Sequence, residues 1–458
     1  MRVMKFRLLG LGLAVPLIAF ACSSSNDGSS QNGGGDGGAD TSTDAAPTCP
    51  SSFADPVRER RDACTFAAGA KATDTLGLTE DQRKAIPIKH VIVLMKENRS
   101  FDHLFGQLSK SGQPDAEAVP ATWASKDANG AAVPPYHATT TCEPADPPHQ
   151  WDPMHAQVNG GAMDGFVKSG SNSSPATDGH FTMGYLDATD LPFYYWLANT
   201  FAIADHHFPS VQSGTWANRD YLVAATSNGV KNTGPGPGTG PQLDGVPLIF
   251  DKLSDAKVTW GVYTDDPFPL EASVAWGGRP NLKTVDAFLS EVKAGTLPAV
   301  SFIDGTSTLG PPPARDEHPP SDVQAGEAWT KSIFDAVVQS SIWSDTVIFY
   351  TYDEAGGFGD HVPPGKSCAA SPDQAEFTEL GVRVPLIAIS PWAKRHFVSH
   401  AVHQHTSILR FIELLHGIPA LTARDANSDA LLDMFDFSCP NTTPLGDAPA
   451  PGTGRCTQ

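Results

Sequence analysis

The chain has 458 residues, 40% of them hydrophobic and 18% charged, with a formal net charge of −20. That is apolar sequence enough for a large buried core, and a field of this sign repels polyanions, which excludes nucleic acid as a partner and disfavours strongly anionic membrane surfaces. A zwitterionic lipid headgroup or a small phosphoester is compatible with it.

Arg2, Lys5 and Arg7 precede an apolar run over residues 8–20, and Ala19-Phe20-Ala21 stands before Cys22. A basic head, a short apolar core and a small-residue cleavage site describe a secretory leader over residues 1–21, with an apolar part too short for a membrane span. The mature chain is therefore expected to be exported. Cys22 resembles the lipidation site of bacterial lipoproteins, although those favour Leu where this chain has Ala19, so a lipid anchor at Cys22 and plain secretion both stay open. Residues 22–48 are Ser, Gly, Asp, Asn, Thr and Ala with almost nothing to bury, a composition that predicts a disordered tether. No second low-complexity linker and no repeat divides residues 49–458, which read as one domain.

There are seven cysteines. Acylation of Cys22 leaves an even set suited to an oxidising compartment, and proximity in sequence pairs Cys49 with Cys64 and Cys439 with Cys456, leaving Cys142 with Cys368. No C-x-x-C pair supports a zinc ribbon or a thioredoxin-type site.

In chain order, the first strong element is His90–Lys96, an apolar strand running straight into Glu97, Asn98, Arg99, Ser100, Phe101 and Asp102. Helical spacing follows over residues 190–204, and residues 221–226 look helical. Beyond them come a strand over 257–263, a helix over 284–293, a strand over 299–304 and a helix over 326–341. The second acid-tipped strand, Thr346–Tyr352, leads into Asp353, Glu354, Ala355, Gly356 and Gly357. A strand over 383–390 and a helix over 405–415 complete the series. Strands alternating with helices predict an α/β/α sandwich around a mostly parallel sheet. Long connections over 107–141, 228–245 and 305–325 interrupt it; the Gly-Pro-rich second one is expected to be disordered, and the third, with Arg315, Asp316, Glu317 and His318, to be functional.

Unalternating apolar strands are buried on both faces of a parallel sheet, and ligands bind beyond the carboxyl ends of such strands. Three carboxylates and an amide (Glu97, Asn98, Asp353, Glu354) gathered there repel one another unless a cation or protons compensate, which makes a divalent metal the economical reading. Hard oxygen donors allow Mg²⁺, Ca²⁺ or Mn²⁺, and residue type alone leaves Zn²⁺ and iron open. Thr215, in the segment Phe208-Pro-Ser-Val-Gln-Ser-Gly-Thr-Trp-Ala-Asn-Arg-Asp220, is the candidate nucleophile: a hydroxyl at a helix start faces free backbone N–H groups, where a phosphoryl anion binds, although most such residues only cap the helix.

These segments together resemble the bacterial phospholipase C and acid phosphatase family, also called the phosphoesterase family. The resemblance rests on Glu97-Asn-Arg-Ser-Phe-Asp102, Met163-Asp-Gly-Phe166, the segment 213–221, Asp353-Glu-Ala-Gly-Gly-Phe-Gly-Asp-His-Val-Pro-Pro364, and Arg383-Val-Pro385 with Ser390-Pro-Trp392 and His405-Thr-Ser407, and it covers roughly residues 88–437 in order. It implies an alkaline-phosphatase-like α/β/α fold and metal-dependent hydrolysis of phospholipid or small phosphoester substrates through a phospho-threonine intermediate on Thr215. Glu97, Asn98, Asp353 and Glu354 then match metal or phosphate-site positions. His318 and His149 rank first as phosphate-contacting or general-acid groups, and Asn218, His155 and His361 are expected substrate contacts.

Gln404 replaces an Asp common in the family, which puts that carboxylate's role in doubt here. Thr215 and the Asp353-Glu354 pair look more like the phospholipase C branch than the acid-phosphatase branch. Small phosphomonoesters are the alternative substrates, and a non-catalytic metal-binding surface lipoprotein is the remote one. No H-E-x-x-H, G-x-S-x-G or C-x-P-x-R motif competes, and Gly365-Lys366-Ser367 lacks the rest of a P-loop.

Overall fold

The computed structural model describes residues 55–234, 243, 245–267, 281–441 and 445–456. The expected leader, the tether with Cys22, and Cys49 lie outside these residues, as does most of the Gly-Pro run in the 228–245 connection.

Eight strands form the central sheet. They are β1 (His90–Lys96), β2 (Ala202–Ala204), β3 (Trp260–Tyr263), β4 (Leu282–Lys283), β5 (Val300–Asp304), β6 (Thr346–Tyr352), β7 (Leu386–Ile389) and β8 (Phe397–Ser399). Across the sheet they run β8-β2-β7-β6-β1-β5-β3-β4. Every neighbouring pair is parallel except β6–β7 and β7–β2, so β7 alone is reversed. β1 sits at the middle between β6 and β5 and is buried along nearly its whole length, as an unalternating apolar strand requires.

The pleat sends successive side chains to opposite faces. Ile92, Leu94, Ile303, Ile348 and Tyr350 meet α1 (Phe101–Phe105), α3 (Pro192–Thr200), α6 (Val285–Ala294) and α7 (Val323–Val338) on one face. Val91, Val93, Met95, Phe302, Val347 and Phe349 meet α4 (Thr215–Ala224), α5 (Ile249–Asp255) and α8 (His405–His416) on the other. α2 (Trp151–Val158) packs against the short helical segments at Asn159–Gly161 and Phe166–Gly170. The class is the expected three-layer α/β/α. Among the described residues no helix is long and apolar enough to cross a membrane.

Three local expectations change. The helix over 190–204 stops at Thr200, and Ala202–Ala204 is a strand: it is buried between β7 and β8, and an all-apolar stretch has no periodicity to distinguish the two forms. The helix read at 221–226 begins six residues earlier, at Thr215. The disulfides are Cys64–Cys368 and Cys142–Cys456, so proximity in sequence pairs none of these four correctly. Cys439 is also disulfide-bonded. The first two bonds join positions 304 and 314 residues apart, a relation that only the fold creates.

Candidate active site

β1 and β6 are paired in register, Lys96 opposite Tyr352, so the residues that follow, Glu97 and Asp353, leave the sheet side by side. The chain turns sharply there. Asn98 takes the left-handed conformation (φ 62°), and its N–H donates to Asp353 Oδ1 at 3.1 Å, as does that of Glu354 at 2.7 Å. Gly356 lies against this turn with φ 64°, and a Cβ there would fall 2.3 Å from the Asn98 carbonyl oxygen. Glycine is required by the contact as well as by the dihedral.

α4 brings the hydroxyl. Gly214 is its extended N-cap and Thr215 its first residue, with Thr215 Oγ1 donating to Glu97 Oε2 at 3.1 Å. One turn later, on the same helix face, Arg219 donates to Glu97 Oε1 through Nε (3.0 Å) and a terminal nitrogen (2.7 Å). Its other terminal nitrogen reaches Asp304 Oδ1 at 2.9 Å, and Nε lies 3.5 Å from Asp353 Oδ2. Three adjacent strand ends thus each present a carboxylate to one buried guanidinium. Sequence reasoning singled out neither Arg219 nor Asp304; the signal was the four-residue step from Thr215 and an acid at the end of a third strand.

Burial pushes the Glu97 carboxyl up, and Arg219 offsets part of that rise. Burial and the neighbouring Glu97 carry Asp353 up to about 8. Glu354 is raised well above the carboxylate range, again chiefly by burial. Asp353 Oδ2, Glu354 Oε1 and both side-chain heteroatoms of Asn98 are buried without a hydrogen-bond partner. Buried polar groups are nearly always paired, and the three unpaired oxygens among these, Asn98 Oδ1, Asp353 Oδ2 and Glu354 Oε1, are donors of the kind a hard cation takes.

Beside Glu354 stand two histidines from different loops. His149 Nε2 is 3.9 Å from Glu354 Oε1, and its Nδ1 is 2.7 Å from the Pro147 carbonyl oxygen and 3.4 Å from Asp146. Burial opposes its charge, but Glu354 and Asp146 override that and hold the imidazolium up to about 10. His318, its ring 5.5 Å from that of His149, is shifted the other way by burial and by His149. Asp146, His149 and His318 offer ligand atoms within 4.8 Å of one another; sequence reasoning ranked the two histidines as phosphate-contacting or general-acid groups and did not single out Asp146. The 305–325 loop also reaches the strand end through the Asp316 carbonyl, which accepts from the Glu97 N–H at 2.9 Å.

The three expected substrate contacts are placed otherwise. Asn218 donates to the Ser213 and Gly214 carbonyls (2.7 and 3.3 Å) and accepts from the Val211 N–H, so it braces the turn that presents Thr215. His155 lies against Trp151, with Nε2 3.8 Å from Glu379. His361 belongs to a separate charged cluster, 2.7 Å from Asp102, in which Arg383 bridges Asp102 and Asp360. His405, read only as a helix start, lies with Nε2 2.7 Å from the Asp353 carbonyl oxygen, while Gln404 accepts from Arg424.

Compared with known families, residues 88–419 match the phosphoesterase family. This chain belongs to that family. Within it, the chain is 32% identical over 425 residues to the non-hemolytic phospholipase C of Pseudomonas aeruginosa, covering 79% of this chain and 59% of that protein. The non-hemolytic phospholipase C of Burkholderia pseudomallei is 29% identical over 84% of this chain and 66% of its own length. Phospholipase C B of Mycobacterium tuberculosis is 30% identical, over 77% and 78% respectively. The chain therefore spans about three fifths of the first of these relatives and just under two thirds of the second.

Proposed function

We propose that this phosphoesterase-family protein is an exported, metal-dependent phosphoester hydrolase of the phospholipase C type, cleaving phosphodiesters such as phosphatidylcholine with Thr215 as nucleophile. One observation carries the reading: the Thr215 hydroxyl at the start of α4, 3.1 Å from Glu97 and facing the strand ends where Asn98, Asp353 and Glu354 leave buried atoms unpaired. The names of the relatives support the substrate class.

Glu97, Asn98, Asp353 and Glu354 would hold the cation, which when bound supplies Lewis acidity and offsets phosphoryl charge. Glu97 aims the Thr215 oxygen, takes its hydroxyl proton as the bond to phosphorus forms, and returns it to Oγ1 when water displaces the phosphoryl group. The N–H groups opening α4 favour the phosphoryl anion. The bond from Thr215 Oγ1 to phosphorus forms as the bond to the leaving alkoxide breaks. His149, protonated at neutral pH, gives that alkoxide its proton, and neutral His318 takes one from the water that resolves phospho-threonine. Export fits the disulfides, which persist in oxidising compartments, and a lipid anchor at Cys22 is part of the proposal.

The purified protein should hydrolyse p-nitrophenyl phosphorylcholine and phosphatidylcholine, lose activity to a chelator, and regain it with one of Mg²⁺, Ca²⁺, Mn²⁺, Zn²⁺ or Fe²⁺. Preference for p-nitrophenyl phosphate would move the assignment to a phosphomonoesterase. Turnover unchanged in Thr215→Ala would overturn the mechanism.

A further inference from the structure

Directly behind the acids, on the opposite face of the sheet, lies a second buried charge that the reaction does not use. Glu317 is fully buried, and its carboxylate pairs with Lys96 Nζ at 2.7 Å, with neither side chain reaching solvent. Tyr352 and Tyr194 each donate a hydroxyl to it at 2.6 Å, one to each oxygen. Thr330 of α7 accepts from Lys96 at 3.2 Å. Lys96 and Tyr352 are register partners at the ends of β1 and β6, and each immediately precedes an acid of the site: Glu97 follows Lys96, and Asp353 follows Tyr352.

The backbone of Glu317 is held as firmly as its carboxylate. Its φ is +75°, a left-handed conformation costly for a residue with a Cβ. Its carbonyl accepts two bonds from Arg99, at 2.7 and 3.1 Å. The carboxylate fits only because residue 326 is glycine; a Cβ there would lie 2.2 Å from Glu317 Oε1. Either side of it sit Asp316, whose carbonyl takes the Glu97 N–H and whose side chain takes the His318 N–H at 3.2 Å, and His318 itself.

We propose that Glu317 is a positioning residue: by joining Lys96 and Tyr352 through one buried carboxylate, it sets the spacing of Glu97 from Asp353 and seats the next residue, His318, beside His149. This rests on the proposed reading of the site for its effect on turnover, but its geometric content stands apart. A strut with a general structural role would have no reason to join the two residues that precede the acids. Nor would it need strained backbone next to His318.

The test uses Glu317→Gln and Tyr352→Phe in the full chain, with Mn²⁺ binding measured by calorimetry, kcat and KM measured on p-nitrophenyl phosphorylcholine, and crystal structures of wild type and variants. A displacement of about 1 Å between the Glu97 and Asp353 carboxylates is expected, with kcat falling roughly 100-fold at little change in KM. Mn²⁺ affinity should fall about tenfold or more, the scale of losing a partner behind a ligand. Should Glu317→Gln fail to fold, Tyr352→Phe, which removes one oxygen, decides the matter with the same direction and a smaller shift. Unmoved carboxylates and His318 in a folded variant overturn the proposal, even if wild type itself neither binds Mn²⁺ nor turns over the ester; that last result would instead overturn the assigned function.

Discussion

Thr215 Oγ1 and Glu97 Oε2, separated by 118 positions in sequence, are 3.1 Å apart and buried. The helix that carries the hydroxyl begins at Thr215, so the contact is made at the end where the helix dipole is positive. Thr215→Ala is expected to lower kcat by roughly 1,000-fold or more, as loss of a nucleophile does, with KM little changed. Thr215→Ser, which keeps the oxygen, should retain a measurable fraction. Steady-state kinetics on p-nitrophenyl phosphorylcholine distinguishes the two.

Arg219 is fully buried and neutralises Glu97 and Asp304 at once. Arg219→Met would leave those acids facing one another without a counter-charge, at a cost of about 3–5 kcal/mol for breaking a buried pair. Arg219→Lys keeps the charge but cannot span the same three strand ends, and should be intermediate. Chemical denaturation of the three proteins gives the order directly.

His403 is buried between Asp429, 2.6 Å from Nδ1, and Asp433, 3.5 Å from Nε2. Burial disfavours its charge, but the two acids outweigh it and hold His403 up to about 10, from an ordinary 6.5. A raised value means that the stabilisation is fully present below pH 6.5 and is lost as pH rises from there towards about 10. Asp433 is pulled to about 2 by His403 against burial, so its share is present above 3.8 and lost on acidification below that. The melting temperature should therefore fall between neutral pH and pH 10, and His403→Gln should flatten that limb while lowering the plateau near pH 5.

The Cys64–Cys368 and Cys142–Cys456 bonds span 304 and 314 residues. Long closed loops restrict the unfolded chain most, so each bond is expected to contribute about 2–4 kcal/mol. Paired Cys-to-Ser variants compared by urea denaturation should show that loss, whereas a Cys64→Ser/Cys142→Ser pair should lose both contributions.

Removal of divalent ions should loosen the site before it loosens the fold. Glu97, Asp353 and Glu354 are buried acids at two adjacent strand ends, raised in proton affinity by burial and, at Asp353 and Glu354, by a neighbouring acid, and without a cation they are driven to take up protons. Chelator treatment at pH 8 is expected to lower the melting temperature more than at pH 6, because more like charge is left uncompensated at the higher pH. An identical shift at both would argue against a cation among these acids.

Much of the candidate site was legible as sequence because its acids follow β1 and β6 directly, two unalternating seven-residue apolar runs of strand length, each leading into acids. The hydroxyl at Thr215 and the histidines at 149 and 318 were legible by motif. Arg219, Asp304 and Asp146 were not, since an isolated charge carries no local signal of what it faces. Asn218, His155 and His361 lie in matched segments, yet their side chains turn to a backbone turn, an indole ring and a second ion cluster. Membership of a segment says nothing of direction.

By itself, the order of residues determined the alternation of strands and helices and the acids at two strand ends, because these depend on periodicity and on neighbours along the chain. Only the tertiary structure decided which cysteines bond, that one guanidinium serves three strand ends, and that the residues before Glu97 and Asp353 share a single buried carboxylate. Those relations join positions from 35 to 314 residues apart, and distance in space between such positions is set by packing, which no local pattern encodes.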